Sequence, residues 1–407
     1  MSFAGIRKRL GPVYAIADQC IYSASQLLLS FALARALSPA DFGIASAFLA
    51  IVSFQYILHT AVVHEPLLIR RYYAGRSAAW WSWALVLAVS VAGFLAWQFT
   101  SFPGPVSAAG IALIVGYEIF WIARSMLLVG RRFLALCVSG VLVCVGYVAV
   151  LIGLRPGTWA QALLWIAVVQ LPFALLVAAH FRRVMAPLPA PAGTPALTIG
   201  EAASYGWKAS LSQLMSWIMT GGAILLLGSS ADAAQGGLLK IYITFLLPMQ
   251  YVLLALGYYI LPRLAANWHS ESRREAFGLF VKFVVFGFLV AELGGVVLGL
   301  LGPHLVVLAF GANYAGMDFS PFFYAPAIFG LTMCLRTGFR AARRPGALLW
   351  CSIFGALVFA ACMRLARLPI SYIQTIHAMT IGFACMAAAM IVWLFFIMRG
   401  AQASPGR

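Results

Sequence analysis

"ARALSPADFGIASAF", residues 34 to 48, breaks a chain that is apolar on both sides of it. Ser38 has the chemistry of a helix N-cap, and Pro39 suits the first helical position, where its missing N–H costs nothing. Asp41 completes a Ser-x-x-Asp capping box at the positive end of the helix dipole. Arg35 closes the preceding helix, and Gly43 lets a neighbouring backbone come close. The stretch reads as a tight hairpin between two long helices, and length decides what those helices are. The flanking apolar runs exceed the roughly 18 residues that cross a bilayer core of about 30 Å. Of 407 residues, 63% are hydrophobic and 9% charged. Lipid offers no partner to backbone polar groups, so such spans are helices, and the alternating ten-residue pattern of a barrel is missing.

Working outward, spans are predicted near residues 12–34, 42–63, 79–100, 106–129, 134–153, 158–180, 204–228, 238–261, 278–301, 321–341, 346–365 and 371–398. Six precede and six follow "FRRVMAPLPAPAGTPALTIGEAAS", residues 181–204, whose Pro, Gly and Ala read as a linker. The expectation is an all-α polytopic membrane protein of twelve transmembrane helices in two six-helix lobes, residues 1–185 and 204–407, joined by a cytoplasmic linker over 186–203. The halves repeat weakly. Asp18, Tyr22, Gln26 and Ser30 recur every fourth residue, and 190 residues on stand Lys208, Ser212, Ser216 and Thr220. Gly43 matches Gly237, and Pro66 matches Pro262. Six spans per half make the pseudo-repeat parallel, about an axis along the membrane normal, which is a transporter plan.

The formal charge is +17, from 27 Lys and Arg against 10 Asp and Glu. The cations alternate from loop to loop, which points to membrane topology rather than nucleic acid. Arg7, Lys8, Arg9, Arg70, Arg71, Arg131 and Arg263 fall on the N-terminal side, where Arg124 and Arg336 are also counted. Only Arg35, Arg155, Arg364 and Arg367 fall opposite. The positive-inside rule makes both termini cytoplasmic, and the basic rim suits anionic headgroups. The first span lacks a small-residue cleavage site and keeps polar groups in its middle, so it is expected to be a retained helix. Seven cysteines lie in or beside helices as small apolar side chains, and six histidines are scattered without ligand spacing, so no metal or cofactor is expected. No phosphate-cradling glycine loop is present.

Charged groups inside spans mark function. Asp18 and Lys208, quasi-equivalent and opposite in sign, are expected to pair as a gate; Glu118 and Glu292 are candidates to carry a coupling proton or cation. Pro248, in "FLLPMQYVLL", frees a backbone carbonyl and is expected to bend the eighth span.

"LARALSPADFG", with Leu37, Ser38, Pro39, Asp41, Phe42 and Gly43, resembles the first hairpin of the polysaccharide flippases of the MOP exporter superfamily. "AFGANYAG", with Phe310, Gly311, Tyr314 and Ala315, is similar to their loop after the ninth helix. The chain departs from that group in having twelve spans rather than fourteen and few cavity cations. The resemblance implies a V-shaped pair of lobes whose helices 1, 2, 7 and 8 line a cavity and alternate between inward-open and outward-open forms. It implies no enzyme, and a cargo of undecaprenyl-diphosphate oligosaccharide flipped to the periplasmic leaflet of a bacterial inner membrane. The expected partners are that lipid-linked oligosaccharide, membrane lipids, and polysaccharide polymerase and glycosyltransferase machinery. Arg35, Lys208 and Lys240 match only as cations on those helices, and Gln26, Gln213 and Gln250 are the expected sugar-facing groups. The alternative is a MATE-like cation-coupled small-molecule antiporter. A membrane glycan polymerase or ligase is less favoured, because the longest external stretch, about residues 302–320, offers only His304 and Asp318 as titrating groups.

Overall fold

A computed structural model describes residues 3–60, 76–101, 107–129, 133–184, 199–230, 232–268, 273–342, 344–366 and 369–402. Their α-helices are α1 (Phe3–Ala36), α2 (Pro39–His59), α3 (Arg76–Ser101), α4 (Ala108–Val129), α5 (Phe133–Leu154), α6 (Trp159–Val184), α7 (Ile199–Met219), α8 (Gly221–Gly228), α9 (Ala234–Trp268), α10 (Arg273–Phe310), α11 (Ala325–Ala341), α12 (Pro345–Leu365) and α13 (Tyr372–Gln402). No strand occurs among the described residues. Among the described residues seven helices are long and apolar enough to cross a membrane, and Ser210–Met219 with Gly221–Gly228, bent by 44°, counts as an eighth if the pair is one span. With α7 and α8 taken together, one helix stands on each of the twelve predicted spans. Leu134, Leu142, Leu293, Leu300, Leu308, Trp350 and Leu357 are exposed, an arrangement that lipid rewards and water penalises.

The chain divides into two compact units, Met1–Ser210 with Ile224–Thr244, and Leu211–Ala223 with Phe245–Arg407. In the first, α1 packs along α5, and α4 along α6. The hairpin at residue 38 forms as its sequence dictates. Ser38 Oγ accepts the Asp41 N–H at 3.1 Å and donates to the Asp41 carboxylate at 2.7 Å. Gly43 follows because no side chain fits: a Cβ there would stand 1.7 Å from the Ala233 carbonyl oxygen. Gly228 abuts the Gly43 carbonyl in turn, so the start of α2, the end of α8 and the start of α9 touch through their backbones. Beneath this junction Phe48 stacks on Trp159 at 4.9 Å and meets Trp97 edge-on at 5.0 Å.

In the second unit α12 lies along α13, and α11 packs on α10 and α13. Leu253, Phe283, Ala291 and Cys334 form a buried cluster there. Two sequence expectations change. The seventh span is not one rod: Thr220 Oγ1 bonds back to the Ser216 and Trp217 carbonyls, Thr220 N–H bonds to the Trp217 carbonyl, and two glycines follow. Side-chain competition for backbone acceptors and unrestrained glycine backbone end the helix at that point. α9 is helical on both sides of Pro248, the residue expected to bend it. The stretch expected as an external loop from residue 302 is helical to Phe310, so α10 is 38 residues long, with Pro303 inside it. Gly311 ends it at φ 104°, a conformation that favours glycine. Burial pushes the Tyr314 hydroxyl just beyond it well above its ordinary pKa range, and a shell of Phe245, Phe310, Phe319 and Phe322 packs nearby.

Candidate functional site: buried polar junctions between spans

α4 organises the polar interior of the first unit. Its residues Tyr117, Glu118, Arg124 and Ser125 fall in two pairs seven apart, so at about 100° per residue each pair shares a face. The Tyr117/Arg124 face meets α1 and α5. Arg124 forms an ion pair with Asp18 and lies 4.8 Å over the Tyr22 ring. Tyr147 donates to the Tyr117 hydroxyl at 3.3 Å and accepts from Gln170 at 2.9 Å. The ion pair is only half satisfied: Asp18 Oδ1 and Arg124 Nη1 are buried and meet no hydrogen-bonding partner.

The Glu118/Ser125 face meets α2. Gln55 Nε2 donates to Glu118 Oε2 at 2.9 Å and to the Ile114 carbonyl at 3.0 Å. His59 Nδ1 lies 3.0 Å from Glu118 Oε1, and His59 Nε2 lies 3.0 Å from Ser125 Oγ. All four side chains are buried. Removing one member of such a group strands the others in a dry interior.

In the second unit Arg336 on α11 donates to Ser216 Oγ at 2.9 Å and to Gln213 Oε1 at 3.0 Å, both on α7. Ser212 of the same stripe bonds Ser352 at 2.9 Å. The repeat seen in α1 and α7 therefore extends to the fourth span of each half, where an arginine addresses the first span.

The sequence-derived candidates distribute unevenly. Asp18 and Glu118 sit in the two junctions, and Gln213 is the acceptor of Arg336. Asp18 is held by Arg124, not by the expected Lys208, which lies 5.6 Å over the Trp207 ring. Gln26, Lys240, Gln250 and Glu292 are half-buried, Arg35 is exposed at the end of α1, and Pro248 is exposed on α9. Arg124 and Arg336, counted as cytoplasmic cations, belong inside α4 and α11. An arginine with an acceptor on the facing helix has no need to reach the headgroups. Sequence reasoning missed His59 and Gln55 as partners of Glu118. Their i, i+4 spacing on α2 and the seven-residue spacing on α4 were the available signals.

No family profile matches the chain, and no curated protein matches it in sequence. Solved structures do. An inward-facing multidrug resistance MATE family transporter of the MOP superfamily aligns at TM-score 0.63 and 13% identity, over 97% of this chain and 96% of that one. A MOP superfamily transporter from Pyrococcus furiosus, described as having a binding pocket of reversed polarity, aligns at TM-score 0.62 and 15% identity over 94% of each chain. A variant of the Vibrio cholerae MATE transporter VcmN aligns at TM-score 0.62 and 14% identity over 98% of each. A chain of apolar helices, one on each of twelve predicted spans and aligned almost end to end with these proteins, has the fold of the MOP superfamily transporters.

Proposed function

We propose that the protein is a secondary transporter of a bacterial inner membrane, with both termini cytoplasmic, that moves its cargo by alternating access and performs no chemical step on it. Of the cargo classes, cation- or proton-coupled export of small organic molecules has the better support, because the solved structures it resembles over their whole length include multidrug transporters. The observation that carries the coupling is the buried, half-satisfied Asp18–Arg124 pair. A proton on Asp18 would cancel the attraction that holds Arg124 to α1, so proton binding and the α1–α4 contact are linked. Proteoliposomes loaded with ethidium and given a pH gradient test this reading: gradient-driven movement that Asp18→Asn abolishes supports it, and gradient-independent leakage counts against it.

A second reading, flipping of a lipid-linked oligosaccharide, is favoured by the "LARALSPADFG" hairpin and the "AFGANYAG" turn. On that reading Arg35, Lys208 and Lys240 attract the diphosphate, Gln26, Gln213 and Gln250 face the sugars, and lobes 1–185 and 204–407 rock about the linker. Deleting the gene and locating the glycan separates the two: build-up on the cytoplasmic leaflet supports flipping, and an unchanged distribution supports the export reading.

A further inference from the structure

The junction between α2 and α4 holds a complete acid–base pair, and its hydrogen bonds restrict the states it can adopt. Gln55 Nε2 touches both the Ile114 carbonyl and Glu118 Oε2. A backbone carbonyl only accepts, so the amide nitrogen is correctly placed there and Glu118 Oε2 is an acceptor. That leaves Glu118 Oε1, His59 and the Ser125 hydroxyl in a row, with both gaps at 3.0 Å.

In the state with fewer protons Glu118 is a carboxylate, His59 Nδ1–H donates to it, and Nε2 accepts from Ser125; the pair carries one negative charge. One added proton sits on Nε2. His59 is then an imidazolium, Nε2–H donates to Ser125 Oγ, the hydroxyl hydrogen rotates away, and the pair is neutral. The serine hydroxyl serves as donor in one state and acceptor in the other, so the row keeps both hydrogen bonds in either. Exposure of Gln55, His59, Glu118 and Ser125 is 0%, 1%, 2% and 3%. A proton reaches or leaves so enclosed a pair only with water. Gln55 Oε1, buried and without a partner, is an acceptor at this place able to hold that water.

The charged and titratable groups around it are few. α4 brings Arg124 and Tyr117, α1 brings Asp18 and Tyr22, α2 itself brings Tyr56 beside Trp121, and α5 brings Tyr147, Cys137 and Cys144. The described side chains of α3 and α6 include no ionisable group.

We propose that His59 and Glu118 form a one-proton site, with Ser125 as its rotating hydrogen-bond partner. This rests on the reading of the chain as an ion-coupled transporter and adds a second proton-binding place to Asp18. The test needs no cargo. The full chain, with ring-labelled histidine, is placed in lipid nanodiscs and followed by infrared difference spectroscopy between about pH 5 and 9, a window bracketing ordinary histidine titration. The expected result is one imidazolium signal that disappears in His59→Gln and is lost or displaced in Glu118→Gln. In Ser125→Ala, which keeps both titrating groups and serves if the other variants fail to fold, the signal is displaced because the imidazole loses its partner at Nε2. Identical spectra for the parent protein and His59→Gln, or a signal indifferent to Glu118→Gln and Ser125→Ala, overturn the site. An intact signal in a protein that moves no ethidium upholds the site and removes only the cargo reading.

Discussion

Arg124 reaches Asp18 with one nitrogen while Nη1 stays without a partner, so each charge depends heavily on the other. Breaking a buried pair from one side is expected to cost about 3–5 kcal/mol, because the remaining charge is left in the dry interior. Arg124→Gln and Asp18→Asn should each lower thermal stability in detergent, and the double variant should be more stable than the Arg124→Gln single variant. Strict additivity of the two losses would show that the pair does not interact. The same residue shows what the sequence could and could not disclose. Asp18 announces itself, since an acid inside an apolar run is conspicuous. Its partner was hidden because an arginine near a span end is ordinarily a topology signal, and only three-dimensional proximity distinguishes the two roles. His59 was hidden in the same way, as one histidine among six without ligand spacing.

Elements were more legible than their partners. Span positions follow from apolar length alone, and the first hairpin from its cap, both of which are local properties. The break after Met219 escaped notice because it arises from Thr220 and paired glycines inside an otherwise uninterrupted apolar run. Two predictions belong here. Gly43→Ala pushes a methyl group into the Ala233 carbonyl, and overpacking of this kind costs about 1–3 kcal/mol, measurable as a lower unfolding midpoint in detergent. A normal midpoint would mean that the hairpin and the start of α9 separate readily. Gly221→Ala meets the Trp217 indole, with the nearest atom at 2.1 Å, and Thr220→Val removes the side-chain bonds that compete with the helix. If the bend takes part in the transport cycle, the pair of substitutions lowers transport while the protein still reaches the membrane in normal amount.

For the whole molecule, the sequence pattern led to two six-helix halves, and the solved MATE and MOP structures share that fold over nearly the whole chain. Function was less legible, because the hairpin and turn resemble one group of transporters while the solved structures that share the fold include multidrug transporters. Orientation can be checked directly. In a background without the seven native cysteines, Ala40→Cys is expected to react with an impermeant maleimide added to intact cells, and a cysteine at position 187 only after permeabilisation; the reverse pattern would invert the topology. A last consequence comes from α10. Its 38 residues extend roughly 57 Å at 1.5 Å per residue, and the apolar stretch within it, Glu275–Phe310, is far longer than the hydrocarbon thickness of an ordinary bilayer. Tilt or local thickening of the membrane must absorb the excess. To the extent that thickening rather than tilt or a bend at Pro303 takes up the length, acyl chains of greater length should raise thermal resistance in longer-chain nanodiscs above that in short-chain ones.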